Sequence, residues 1–126
     1  MSNQEATILV VDDTEANIDI LVEILGEEYE VSVAMDGESA LEIAEDMAPD
    51  LVLLDIMMPG MDGYEVCRRL KASENTKNIP VVFVTAKGEI GDKMDGYDTG
   101  ASDYVTKPID PDLVRETVKK LLGGNG

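Results

Sequence analysis

Residues 51–63 read Leu-Val-Leu-Leu-Asp-Ile-Met-Met-Pro-Gly-Met-Asp-Gly, and their order decides the fold. Four successive apolar residues run into a carboxylate, Asp55, and then into two turn signals, Pro59-Gly60 and Asp62-Gly63. An unbroken apolar run of strand length, as opposed to an alternating one, suits a strand covered on both faces. That is the situation of a parallel sheet inside an α/β domain. Behind the loop, Asp62 is placed to cap a helix, and Val66, Cys67 and Leu70 have helical spacing.

The same grammar recurs outward from this stretch. Residues 8–11 (Ile-Leu-Val-Val) end in Asp12-Asp13, and residues 81–84 (Val-Val-Phe-Val) end in Thr85. A weaker run spans 29–34, and Tyr104-Val105 leads to Lys107-Pro108. Helical stripes lie between: Ile18, Leu21, Val22 and Leu25; Ala40, Leu41, Ala44 and Met47; and, at the end, Val114, Val118, Leu121 and Leu122. Pro49 closes the second helix, while Asp110 with Pro111 opens the last. The segment 88–100 has Ile90, Met94 and Tyr97 at helical spacing, but Gly91 and Gly96 each cost about 1 kcal/mol there. A helix in it should be short or easily shifted. The pattern is βα five times over, which predicts one three-layer α/β domain with right-handed crossovers. Its expected extent is 7–122, with residues 1–6 flexible and Gly123-Gly124-Asn125-Gly126 a frayed tail or the stub of a linker.

Composition narrows the function. The chain has 126 residues and a net charge of −17. Residues 1–67 hold 18 acids and no Lys or Arg, whereas residues 68–126 hold 9 acids and all 10 bases. Nucleic acid and anionic membranes repel such a chain; cations and basic partners suit it. There is no histidine, which removes His-liganded zinc, His general bases and Ser-His-Asp triads. A single cysteine, Cys67, precludes an internal disulfide. Met1 to Ala6 lacks an apolar signal-peptide core, and no apolar run approaches a membrane span, so a cytoplasmic location is expected.

In an open parallel sheet, ligands bind beyond the carboxyl ends of the strands. Asp12-Asp13, Asp55, Thr85 and Lys107 all sit at such ends. Alone, each has a plain explanation. Asp12 or Asp13 could cap the first helix, as could Thr14; Asp55 could be a turn residue, Thr85 a strand-end hydroxyl and Lys107 a solvated lysine. Together they suggest one rim. Three carboxylates within about 4–6 Å raise one another's pKa values unless a cation intervenes. Mg²⁺ suits such oxygens and keeps coordination positions open. A carboxylate so neutralised can attack phosphorus, with Lys107 and Thr85 as donors to the transferring oxygens.

At these residues the sequence resembles the receiver domain of two-component response regulators, the chemotaxis-regulator-like family. The resemblance covers Val10-Val11-Asp12-Asp13, then 53–63, Val84-Thr85-Ala86, and 100–108. It implies a doubly wound, five-stranded sheet in order 2-1-3-4-5 and a cis Lys107-Pro108 bond. Asp55 becomes the phosphoryl acceptor, with Mg²⁺ held by Asp13, Asp55 and the Met57 carbonyl, and by Asp12 through water. Thr85 becomes the switch hydroxyl, Lys107 the phosphoryl-binding lysine, and Tyr104 a second switch residue. Met57 and Lys87 stand at positions that vary in the family and tune dephosphorylation.

The implied role is that of a phosphorylation-controlled signalling domain and not an enzyme, its only chemistry being self-phosphorylation and slow self-dephosphorylation. The donor must be a partner, a histidine kinase or histidine phosphotransfer protein. The output is a surface formed by the fourth helix, the fifth strand and the last helix, with room for phosphorylation-dependent homodimerisation. On the first helix, Ile20 and Ile24 fall opposite the apolar stripe, so they are expected to be partly exposed and to meet an apolar patch on the donor. Glu15, Asp19, Glu23 and Glu27 form an i, i+4 acidic stripe on that helix, either solvated or steering a basic donor surface. Two enzymatic alternatives share the architecture. A flavodoxin-like carrier would want a Ser/Thr/Gly-rich loop where Asp12-Asp13-Thr14-Glu15 stands. An aspartate-nucleophile phosphatase would want a second Asp where Met57 stands.

Overall fold

The computed structural model describes residues 6–86 and 102–122. Five strands, β1 (Thr7–Val11), β2 (Glu30–Ala34), β3 (Leu51–Asp55), β4 (Val81–Ala86) and β5 (Asp103–Lys107), pair in parallel in the order β2-β1-β3-β4-β5. Helices α1 (Glu15–Leu25), α2 (Gly37–Met47) and α3 (Gly63–Ala72) follow the first three strands, and a C-terminal helix (Pro111–Leu121) follows β5. This is the doubly wound order expected. The expected helix within 88–100, Lys87, and the flexible ends within 1–6 and 123–126 lie outside the described residues, save Ala6.

The three central runs are continuous because alternate residues feed two separate cores. Ile8, Val10, Leu51, Leu53, Val82 and Val84 pack with α1 and the C-terminal helix. Leu9, Val11, Val52, Leu54, Val81 and Phe83 pack with α2 and α3 on the opposite face. Every residue of β3 is buried, as befits the middle of the sheet. By contrast β2 is an edge strand with Val33 exposed, which explains its weaker apolar signal.

Helix ends follow the side chains. Asp36, Asp62 and Asp110 each accept a main-chain N–H in the first turn of α2, α3 and the C-terminal helix. Ala48, in the left-handed region with φ 46°, terminates α2 ahead of Pro49.

Two helical stripes need correction. On α1, Ile24 is buried (9% exposed) and Val22 is exposed (36%), the reverse of the expected pattern. Ile24 shares its core with Val114 and Val118 of the C-terminal helix, so a neighbouring helix widens the buried face to one side. The expected exposed pair therefore reduces to Ile20, and no two-residue apolar patch forms there. On α2, Met47 is exposed, because the helix ends just beyond it.

Candidate functional site

The carboxyl edge of the sheet brings Asp12, Asp13 and Asp55 together. The Asp12 N–H donates to Ala34 O at 3.1 Å, prolonging the link from the end of β1 to β2 and setting the backbone of Asp12. Its Oδ1 accepts the Thr14 N–H at 2.9 Å, so Asp12 does turn the chain into α1, while Thr14 occupies the N-cap without a side-chain cap bond. Its Oδ2 is buried and accepts no hydrogen bond from the described residues. Asp13 is exposed, with its Oδ1 3.5 Å from the Thr14 hydroxyl. Asp55 closes β3 and is only 2% exposed. One carboxylate oxygen from each of the three lies within 4.8 Å of the others.

A cation reaches this cluster from two strands away. Lys107, the last residue of β5, extends past the end of β4 and donates from Nζ to Asp55 Oδ1 at 3.3 Å. One ammonium does not balance three carboxylates. Burial first, and the Asp12 charge second, push the Asp55 acid from 3.8 up to about 6. The charge and hydrogen bond of Lys107 pull it down, and Asp13 adds a further push upward. An orphaned buried oxygen, three converging carboxylates and an acid held up by burial and a neighbouring carboxylate are the environment a hard divalent cation suits.

Thr85 lies on β4 next to this cluster, one residue beyond the Asp55–Val84 register pair, and is 1% exposed. Strand alternation puts it on the same face as Phe83. Tyr104, half-buried, is the register partner of Phe83, and their ring centroids are 6.0 Å apart. Phe83 in turn meets Tyr64 of α3 edge-on at 5.3 Å, so three aromatic rings run across the sheet from α3 to β5. That row was not foreseen, because its members come from three separate elements. Met57 projects its side chain outward, 61% exposed, from the β3–α3 loop. The Lys107-Pro108 bond is cis, as the resemblance implied.

Sequence reasoning also missed the part played by Gly63. A Cβ there would lie 2.4 Å from Asp55 O and 2.7 Å from Ile56 Cα, while its N–H donates to Ile56 O at 2.9 Å. Glycine lets α3 start flush against the end of β3. The signal was a glycine directly behind a helix cap, where helix propensity alone disfavours it.

The model of the response regulator receiver domain family matches residues 8–119. The chain belongs to that family. It is thereby a receiver domain of two-component systems, and the flavodoxin and phosphatase alternatives fall. The response regulator PleD of Caulobacter vibrioides is 52% identical over 117 residues, covering 92% of this receiver and 26% of PleD. The receiver thus spans about a quarter of that curated relative. A putative response regulator from Chloroflexus aurantiacus J-10-fl superposes with a TM-score of 0.90 at 38% identity, covering 94% of this chain and 98% of that one. The receiver domain of the sensor histidine kinase PA1611 from Pseudomonas aeruginosa PAO1 superposes at 0.87 with 29% identity and the same coverages; it has a magnesium ion coordinated in its active site cleft. Among the described residues no helix is long and apolar enough to cross a membrane.

Proposed function

We propose that Asp55 accepts a phosphoryl group from a phosphohistidine of a histidine kinase or histidine phosphotransfer protein. The observation that carries this reading is a nearly buried carboxylate flanked by two others within 4.8 Å and held by an ammonium at 3.3 Å. In the transfer the N–P bond of the donor breaks, a P–O bond to an Asp55 carboxylate oxygen forms, and the leaving imidazole takes its proton from solvent. Asp12, Asp13, Asp55 and the main-chain carbonyl of Met57 would hold Mg²⁺, directly or through water. When bound, the ion supplies the positive charge that offsets the carboxylates and the incoming phosphoryl oxygens. The magnesium in the PA1611 receiver supports that assignment.

Lys107 positions one oxygen of Asp55 and donates to the transferring phosphoryl group. Thr85, at the neighbouring strand end, supplies a hydroxyl that moves toward it. On the same face, Tyr104 follows by changing its packing against Phe83, which alters the surface of β5 and the C-terminal helix. That surface includes the Lys120–Asp103 ion pair at 3.3 Å and the exposed Leu113. It is the place for an output partner, an attached domain or a second copy. The domain is taken as 7–122, acting in the cytoplasm.

Incubation with acetyl phosphate and Mg²⁺ tests the proposal. The intact mass should rise by one phosphoryl group in the wild type, and not in Asp55→Asn or in EDTA. A wild type that gains no mass refutes it.

A further inference from the structure

The β3–α3 loop, residues 56–62, carries Met57 and ends on Asp62, the N-cap of α3. Gly63 secures one end of it against Asp55. The middle has a second support from α2. Gly37, the first residue of α2, is buried, and a Cβ built there would lie 2.9 Å from Met61 Sδ, 3.0 Å from Met61 Cβ and 2.9 Å from Val66 Cγ2. Met61 is therefore laid on the bare Cα at the start of α2, backed by the fully buried Val66.

Nothing in the helix itself asks for glycine at this position. Its φ lies outside the left-handed region, and Asp36 already caps α2 by accepting the Ser39 N–H at 2.8 Å. Alanine would suit the helix at least as well. What glycine provides is room for Met61 and for the Val66 methyl behind it. The seat also adjoins the carboxylate cluster from the other side: Ala34, three residues before Gly37, accepts the Asp12 N–H. The start of α2 thus meets the β3–α3 loop through Met61 and follows closely on the β2 end that pairs with Asp12.

We propose that Gly37 is a positioning residue for the acceptor site. Its missing side chain lets Met61 seat against α2, and that seat holds the β3–α3 loop in the shape that presents the Met57 carbonyl beside Asp55. The inference rests on the reading of Asp55 as acceptor and concerns only how the loop is held. Side chains behind metal ligands typically change affinity by about 10–100-fold when altered. Gly37→Ala, which must shift Met61 and press on Val66, belongs at the low end, about tenfold.

The test is an Mg²⁺ titration of the unphosphorylated protein, followed through main-chain amide resonances, with urea unfolding to establish that each variant is folded. Gly37→Ala should weaken Mg²⁺ about tenfold, and Met61→Ala alone by less. The double variant should lose less than the product of the two single losses, because truncating Met61 removes its Sδ and leaves the added methyl only Met61 Cβ and Val66 Cγ2 to displace. Unchanged affinity in a folded Gly37→Ala, or losses that multiply in the double variant, would overturn the proposal. Should Gly37→Ala fail to fold, Met61→Ala decides alone: solvent exchange of the Gly63 amide should quicken severalfold while that of β1 amides stays put, and an unchanged Gly63 amide overturns it. A wild type that takes up neither Mg²⁺ nor phosphoryl would refute the acceptor reading instead.

Discussion

Replacing Asp55 by Asn should make the metal-free protein more stable at neutral and alkaline pH, although it removes the proposed acceptor. The folded chain holds the Asp55 acid at about 6 against 3.8 for an ordinary Asp, chiefly through burial and the Asp12 charge. A raised acid means the fold favours the protonated form. Its relative contribution is whole below pH 3.8, declines between 3.8 and about 6, and is lost above that, where the ionised carboxylate is a standing cost. At about 1.4 kcal/mol per pH unit, that cost approaches 3 kcal/mol at pH 8. An Asn amide keeps an oxygen for Lys107 but exchanges a charge-assisted hydrogen bond for a weaker one, which returns about 1 kcal/mol. The net gain is about 1–2 kcal/mol, or roughly 4–8 °C in Tm for a domain of this size. Urea unfolding followed by circular dichroism in EDTA measures it. The gap between Asp55→Asn and wild type should be full at pH 8 and small at pH 4.5. Millimolar Mg²⁺ should narrow it by stabilising the wild type preferentially. An Asn variant no more stable than wild type at pH 8 in EDTA, or a gap indifferent to pH, would refute the reasoning.

Lys107→Met removes the nearest positive charge from Asp55, so the Asp55 carboxyl should titrate above its wild-type value; carbon NMR of the side chain reads this directly. Gly63→Ala drives a Cβ into the Asp55 and Ile56 backbone, which neither can vacate, and should lower stability by about 1–3 kcal/mol or more in urea. Thr76→Val abolishes the buried hydroxyl that donates to Leu70 O at 2.6 Å, and leaving that carbonyl only the longer Ser73 N–H at 3.4 Å should cost about 1 kcal/mol in the same assay. Glu15, Asp19 and Glu23 are exposed on α1, whereas Glu27, expected to continue their stripe, is exposed just past the helix end at Gly26. If they steer the donor, the transfer rate should fall as ionic strength rises, and a flat salt profile would leave them as solvation only.

Much of this architecture was legible because each signal is local. Residues 8–11, 51–54 and 81–84 are strands buried on both faces, and such strands must be apolar at every position. Asp62 and Asp110 cap helices because a short carboxylate before an apolar-periodic stretch can satisfy N–H groups that the helix leaves open. The misread positions are those where a neighbour decides. Val22 and Ile24 lie on opposite flanks of one stripe, and only the packing of the C-terminal helix beside α1 determines which flank is covered. Gly37 and Gly63 look like interruptions in helix starts until Met61 and the Asp55 carbonyl are seen lying against them.

For the candidate site the division is similar. Residue order alone sets which chemical groups stand at the carboxyl ends of the strands: two acids after β1, one at the end of β3, a hydroxyl near the end of β4 and a lysine at the end of β5. Alternation and turn chemistry act over a few residues, so they can be read along the chain. It took the tertiary packing to bring Lys107 past the end of β4 to Asp55, to bury one Asp12 oxygen without a partner among the described residues, and to raise the Asp55 acid to about 6. Those properties depend on distance and exclusion of water between groups as much as 95 residues apart, Asp12 and Lys107, which come together only when the sheet closes in its final order.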